Sequence, residues 1–140
     1  MKLLNWYMRT FKRQYVEIKD KDGGLYLRRF FLLGHWKSSW ALMLHCFHRS
    51  DWDRHLHDHP WPFLSLILTR GYYEVTASGH KWYHPLSLLY RPATWTHRVK
   101  LDERGGPVWT LVWRGKKVRS WGFHTEAGWV YYQDYGAEVE

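Results

Sequence analysis

Three histidines alternate in the stretch Asp53-Arg54-His55-Leu56-His57-Asp58-His59-Pro60. On an extended strand, side chains two apart share a face. Pro60 biases His59 towards extended backbone. Two imidazoles on one face can converge on a single ion, about 2.0–2.1 Å from each nitrogen in the case of zinc. Neutral imidazole also suits copper, iron and nickel. His55 has the parity of His57 and His59 and is a candidate fourth ligand. Asp58 has the opposite parity and is expected to anchor a turn or to orient a histidine from behind. Asp51 and Asp53 are loop candidates for the same task. The competing reading of this stretch is a solvated histidine-rich loop, or rings satisfied by backbone groups.

Such ligands need a rigid frame, and the surrounding sequence supplies strands. Short apolar or alternating runs broken by turn residues are the all-β pattern. The runs cover 25–33, 40–48, 63–68, 72–76, 81–83, 86–90, 95–101, 108–114, 118–123 and 129–133, about ten short strands. Closing them into a barrel or jelly roll removes exposed edges. Residues 3–13 read as a short helix or as a strand lying across the barrel, and 19–24 read as a turn. No repeat, low-complexity segment or linker divides the chain, so one domain over 1–140 is expected. Aromatic residues form 19% of the sequence, with Trp 11, Tyr 10 and Phe 6. Rings of this size favour half-buried strands and fill small barrels.

The spacing resembles that of the cupin superfamily. His57-x-His59, then position 64, then Gly71, aligns with the first cupin motif, and Pro92-x-Thr94-x-x-His97 with the second. The two motifs span roughly 51–101. The stretches His57-Asp58-His59-Pro60-Trp61, Gly71-Tyr72-Tyr73-Glu74, His97-Arg98-Val99 and Arg119-Ser120-Trp121-Gly122-Phe123 also resemble small single-domain cupin-like proteins of bacteria and phages. The resemblance implies a double-stranded β-helix barrel, and it implies that His97 completes a metal site with His57 and His59. The sequence departs from the pattern at several places. The first motif opens on Asp51 instead of glycine, and its usual glutamate ligand falls on Leu64. In the second motif Leu86 and Thr94 stand for glycines and Leu101 for asparagine. Leucine cannot bind a metal, so the implied ligand set is three histidines with no carboxylate, leaving positions open to water or substrate.

Other residues are expected around that site. Trp95 shares a strand face with His97 and is a candidate wall, while Arg98 points the other way. Arg91 and Arg119 are candidates for a substrate carboxylate or phosphate, which arginine binds bidentately. Tyr83 and Tyr90 are expected to pack. Glu74 follows the turn at Gly71 and is expected at the barrel end away from the histidines. Cys46, the only cysteine, lies in an apolar strand and reads as an inert small hydrophobe. The glycine pairs lack the strand–loop–helix context of a phosphate loop, and a nucleophile elbow is absent.

The formal charge is +8, with a pI near 9.7. An anionic partner fits this charge, but the basic residues are dispersed in pairs, which argues against nucleic acid and for an ordinary soluble basic surface; the partner expected of the site itself is a small-molecule, anionic ligand. One cysteine and the lack of a long apolar run point to a cytoplasmic protein outside the membrane. Cupins often pair through an edge strand, so the resemblance also implies a homodimer.

Three functions are open on this reading. The leading one is a metal-dependent cupin enzyme, by family likeness a three-histidine Fe(II) oxygenase of a small molecule, with Zn(II) or Mn(II) as the other metals. The second is a cupin that binds a metal or anion without turnover, or a sugar isomerase or epimerase with His55 as base. The third is an interaction protein of a mobile element that binds a host factor or nucleic acid.

Overall fold

The computed structural model describes residues 1–135. The segment left open between helix and strand is a helix, α1 (Lys2–Thr10). None of its residues is buried, and it is tied to the body by Tyr7, whose hydroxyl donates to the Leu32 carbonyl at 2.6 Å. Among the described residues twelve strands follow: β1 (Tyr15–Lys19), β2 (Leu25–Leu33), β3 (Ala41–Phe47), β4 (Leu56–His57), β5 (Phe63–Ile67) and β6 (Tyr72–Thr76), then β7 (Gly79–Tyr83), β8 (Leu88–Arg91), β9 (Arg98–Lys100), β10 (Val108–Arg114), β11 (Gly122–Thr125) and β12 (Gly128–Tyr131). One 3-10 turn, η1 (Glu103–Gly105), lies between β9 and β10.

A six-stranded sheet has the order β1-β2-β3-β10-β5-β8. Two three-stranded sheets have the orders β12-β11-β4 and β7-β6-β9. Every strand pair is antiparallel. Alternation drives this arrangement: β5 and β10 bury every second residue, which is what one wet and one dry face require. The dry faces form two apolar clusters. One gathers Ile67, Tyr72, Leu89, Val99, Leu101 and Val108, and the other gathers Phe31, Ala41, Met43, Phe63 and Val112. The all-β jelly-roll expectation holds.

Three local differences from the expected strands bear on the site. The run 95–101 forms a strand only over Arg98–Lys100. Trp95 N–H bonds back to the Pro92 carbonyl at 3.0 Å, so Trp95 sits in a turn. His97 instead makes an isolated bridge with His57. Strand β4, only two residues long, and β1 carry too short or too polar a pattern to announce themselves. At the other end of the barrel wall, Gly71 has φ +86°, and a Cβ there would run into the Tyr83 carbonyl oxygen. Glycine is required at that turn both for its left-handed backbone and for the close approach.

Candidate metal centre

Backbone pairing brings the histidines together. His57 N–H donates to the His97 carbonyl at 2.9 Å, and His97 N–H returns a bond to the His57 carbonyl at 3.0 Å. His59 N–H is held by the Ala93 carbonyl at 3.0 Å. One nitrogen from each of His57, His59 and His97 then lies within 4.8 Å of the others. The ring centroids are 4.8–5.1 Å apart. Phe63 packs at 4.7 Å and Trp61 at 6.1 Å from the His59 ring, while Trp121 and Phe123 flank His57 at 6.2 and 6.1 Å. His59 and His97 are buried, and the His57 side chain keeps 18% exposure, so the cluster meets solvent on the His57 side.

Charged groups behind the rings set which nitrogen faces inward. Glu74 accepts from His97 Nδ1 at 2.7 Å. It also accepts from Arg91 Nη2 at 2.7 Å and Nε at 3.0 Å. Burial would raise the Glu74 carboxyl, but the bonds from His97 and Arg91 outweigh it and hold its pKa at about 2. With Glu74 ionised, the hydrogen of this bond sits on His97 Nδ1, and Nε2 is the nitrogen turned inward. It lies 3.2 Å from His59 Nε2. Behind His57, Asp51 Oδ2 lies 3.8 Å from Nδ1. Asp51 is itself fixed by the Tyr26 hydroxyl and by the Val99 N–H at 2.6 Å.

Burial lowers the His57 pKa to about 4, with His97 adding to the effect and Asp51 opposing it. Burial likewise lowers His59 well below the usual imidazole range, helped by His97 and His57 and opposed by the Trp95 carbonyl. Both rings are therefore neutral at neutral pH. Two neutral nitrogens ligating one ion at about 2.0–2.1 Å stand about 3 Å apart, close to the spacing of His59 and His97. Three imidazoles that each turn one nitrogen to a common point form a donor set that fits a divalent ion.

The other candidate residues take different places. His55 is buried but turned away. Its Nδ1 meets the Tyr135 hydroxyl at 2.7 Å and its Nε2 meets Glu126 at 3.0 Å. Arg91 is spent on Glu74 and on the Tyr83 hydroxyl at 3.2 Å, and its guanidinium lies 4.3 Å over the Trp95 ring. Trp95 thus closes the cluster indirectly, by covering Arg91. Arg119 pairs with Asp58 at 2.9 Å and keeps 31% of its side chain exposed. Asp58 points away from the histidines, as its parity implies, and also takes Gly122 N–H at 2.8 Å and Trp129 Nε1 at 3.0 Å. Cys46 is buried, and burial pushes its thiol pKa up, in keeping with an inert side chain. Arg98 points outward, as expected, and lines a surface cavity.

Glu74 corrects the expectation that placed it at the far end of the barrel. β6 pairs with β9 in the register that sets Glu74 opposite Val99, two residues from His97. The available signal was parity: Glu74 shares a face with Tyr72, and both are buried. Asp51 behind His57 carried no comparable signal, because a loop residue's direction does not follow from spacing.

No family model and no curated protein matches the sequence. Solved structures do match the fold. A cupin-2 domain from Rhodospirillum rubrum superposes with TM-score 0.64 at 14% identity, covering 84% of this chain and 78% of its own. A cupin 2 conserved barrel domain protein from Rhodopseudomonas palustris gives TM-score 0.63 at 11% identity, covering 83% and 80%. Fe(II) HppE gives TM-score 0.60 at 8% identity, covering 74% of this chain and 57% of its own. The barrel that carries His57, His59 and His97 is therefore a cupin fold.

Proposed function

We propose that His57, His59 and His97 hold one divalent metal ion and that the protein is a metal-dependent cupin acting on a small molecule, with Fe(II) and oxygenase chemistry as the leading reading. The observation that carries it is the pair of inward Nε2 atoms of His59 and His97, 3.2 Å apart, with His97 fixed by the ionised Glu74. Carboxylate–histidine–metal relays of this kind fix ring orientation and raise ligand basicity. A bound ion with three neutral ligands would keep its full charge and supply Lewis acidity or a site for O₂ and an anionic substrate. Fe(II) is named for one structure that shares the fold.

The chain's own residues fit these tasks. Glu74 and Asp51 stand behind His97 and His57. The Trp61, Phe63, Trp121 and Phe123 rings limit water around the cluster. A ligand would approach past the partly exposed His57, and Arg119, which pairs with Asp58, reaches the His59 carbonyl at 3.4 Å and keeps 31% of its side chain exposed, is the remaining candidate to meet its carboxylate or phosphate. Arg91, by contrast, acts as the counter-ion of Glu74. Zn(II) or Mn(II) in the same site would shift the reading to isomerase chemistry or to ligand binding without turnover. The limited exposure of the cluster favours the binding reading over an isomerase, and His55, held by Tyr135 and Glu126, is poorly placed as a base. Pairing of two copies belongs to the same reading and is checked by sedimentation. Among the described residues no helix is long and apolar enough to cross a membrane.

The test is O₂ uptake after anaerobic loading with Fe(II), screened across thiols and diketones. Substrate-dependent uptake that disappears in His59→Ala supports the oxygenase. Full iron loading without uptake on any substrate, together with tight binding of a small anion, transfers the assignment to a binding cupin.

A further inference from the structure

The sheet β7-β6-β9 has a second face, turned away from the histidines, and its side chains follow from the strand register. Tyr73 pairs with Trp82 on one side and with Lys100 on the other. One step along, Val75 pairs with His80 and with Arg98. Tyr73, Trp82, His80 and Lys100 are exposed. The Tyr73 and Trp82 rings touch, with centroids 4.8 Å apart.

Two cavities flank this aromatic pair. One, of about 500 Å³, is lined by Tyr73, Arg98, Lys100 and Arg104 among others. The other, of about 360 Å³, is lined by Trp82 and Arg70. Asp102 lines both, so they adjoin, and it pairs with Arg104 at 3.2 Å. Arg98 Nε is buried without a hydrogen-bond partner. Arg70 is thus brought together with Arg98, Lys100 and Arg104 from a later segment, beside two exposed rings.

We propose that this face binds single-stranded nucleic acid, with Tyr73 and Trp82 stacking bases and Arg70, Arg98, Lys100 and Arg104 following the phosphates. Exposed rings set in a cationic groove are the general means of holding unpaired strands, since every base has a π-face. A duplex keeps its bases stacked and offers no face to such rings. An acidic peptide would use the cations but would leave Tyr73 and Trp82 without a role. The face is separate from the metal centre, because strand alternation sends His97 and Arg98 to opposite sides.

The experiment is fluorescence anisotropy with labelled oligo(dT) and oligo(U) of about 12 nucleotides, a length within the usual footprint of such surfaces. Saturable binding that weakens steeply with salt is expected. Tyr73→Ala and Trp82→Ala should each weaken it about tenfold or more. Tyr73→Phe, which keeps the ring and the fold, should retain it. Lys100→Ala/Arg104→Ala, on exposed side chains, should flatten the salt slope by about 0.7 per lost phosphate contact. Lys116→Ala/Lys117→Ala, outside this face, should change nothing. No saturable binding at low salt overturns the proposal. So does equal affinity for a duplex, displacement by polyglutamate as readily as by oligonucleotide, or loss of binding in His59→Ala, which would place the site at the histidines instead.

Discussion

Glu74 and His97 share a 2.7 Å hydrogen bond inside the barrel, and Arg91 closes on the same carboxylate from the other side. A buried carboxylate is costly unless its charge is met. Here the imidazole and the guanidinium meet it, and His97 is thereby held with its Nδ1 hydrogen towards the carboxylate. Glu74→Gln keeps the shape but removes the charge. A metal held by His97 should then bind about 10–100-fold more weakly, as measured by competition with a chromogenic chelator. Arg91 loses its counter-ion, so stability should also fall by on the order of 3 kcal/mol in urea titrations. Unchanged metal affinity would separate Glu74 from the site.

Asp58 anchors the loop that carries the histidines. It accepts from Gly122 N–H, Trp129 Nε1 and Arg119 and contacts His124 Nε2 at 3.1 Å. Burial would raise its carboxyl, but these bonds prevail and keep its pKa lowered. Asp58→Ala leaves a buried amide N–H at Gly122 and a part-buried indole N–H at Trp129 without their acceptor. It should cost about 2–4 kcal/mol, since each such group carries a penalty of about 1–3 kcal/mol. Thermal unfolding measures this, and a loss below about 1 kcal/mol would mean the loop is held by other contacts.

Much of the frame was legible in the sequence because its strands alternate. The runs 25–33, 72–76 and 108–114 coincide with β2, β6 and β10. His57 and His59 stood out through their spacing, and His97 through motif likeness. The Glu74–His97–Arg91 triad was not legible, because it depends on which strands pair and in what register. Arg91 looked like a ligand for substrate since an arginine's partner is invisible until the fold is known. The basic face around Tyr73 was hidden for the same reason: its cations come from separated segments.

His45 is a further buried imidazole outside the metal centre. Arg29 Nε donates to its Nε2 at 3.0 Å, and burial, with the Arg29 charge, lowers its pKa well below 6.5. Below pH 6.5 the unfolded chain takes up a proton that the folded one refuses. The stability contributed by the neutral ring is therefore complete above that pH and is lost as pH falls towards the folded-state pKa. Metal-free protein should lose up to about 1.4 kcal/mol per pH unit from this residue between about pH 6 and pH 5. His45→Gln, which keeps an acceptor for Arg29, should show a shallower decline in urea titrations at the same pH values. Identical slopes would contradict the assignment.

Gly71 carries the turn that feeds β6. Gly71→Ala combines a left-handed backbone with a clash against the Tyr83 carbonyl. A loss of about 1–3 kcal/mol is expected from such strain. Because β6 carries Glu74, metal affinity should drop along with the melting temperature. A variant as stable as the parent would show that the turn can relax.

The most direct test is metal content. Protein purified without an affinity tag is compared with His57→Ala/His97→Ala by elemental analysis. The account predicts one divalent ion per chain in the parent, or after anaerobic loading with Fe(II), Zn(II) or Mn(II), and none retained in a variant whose circular dichroism is unchanged. Failure of the folded parent to hold any of these ions, or equal retention by the variant, would contradict it.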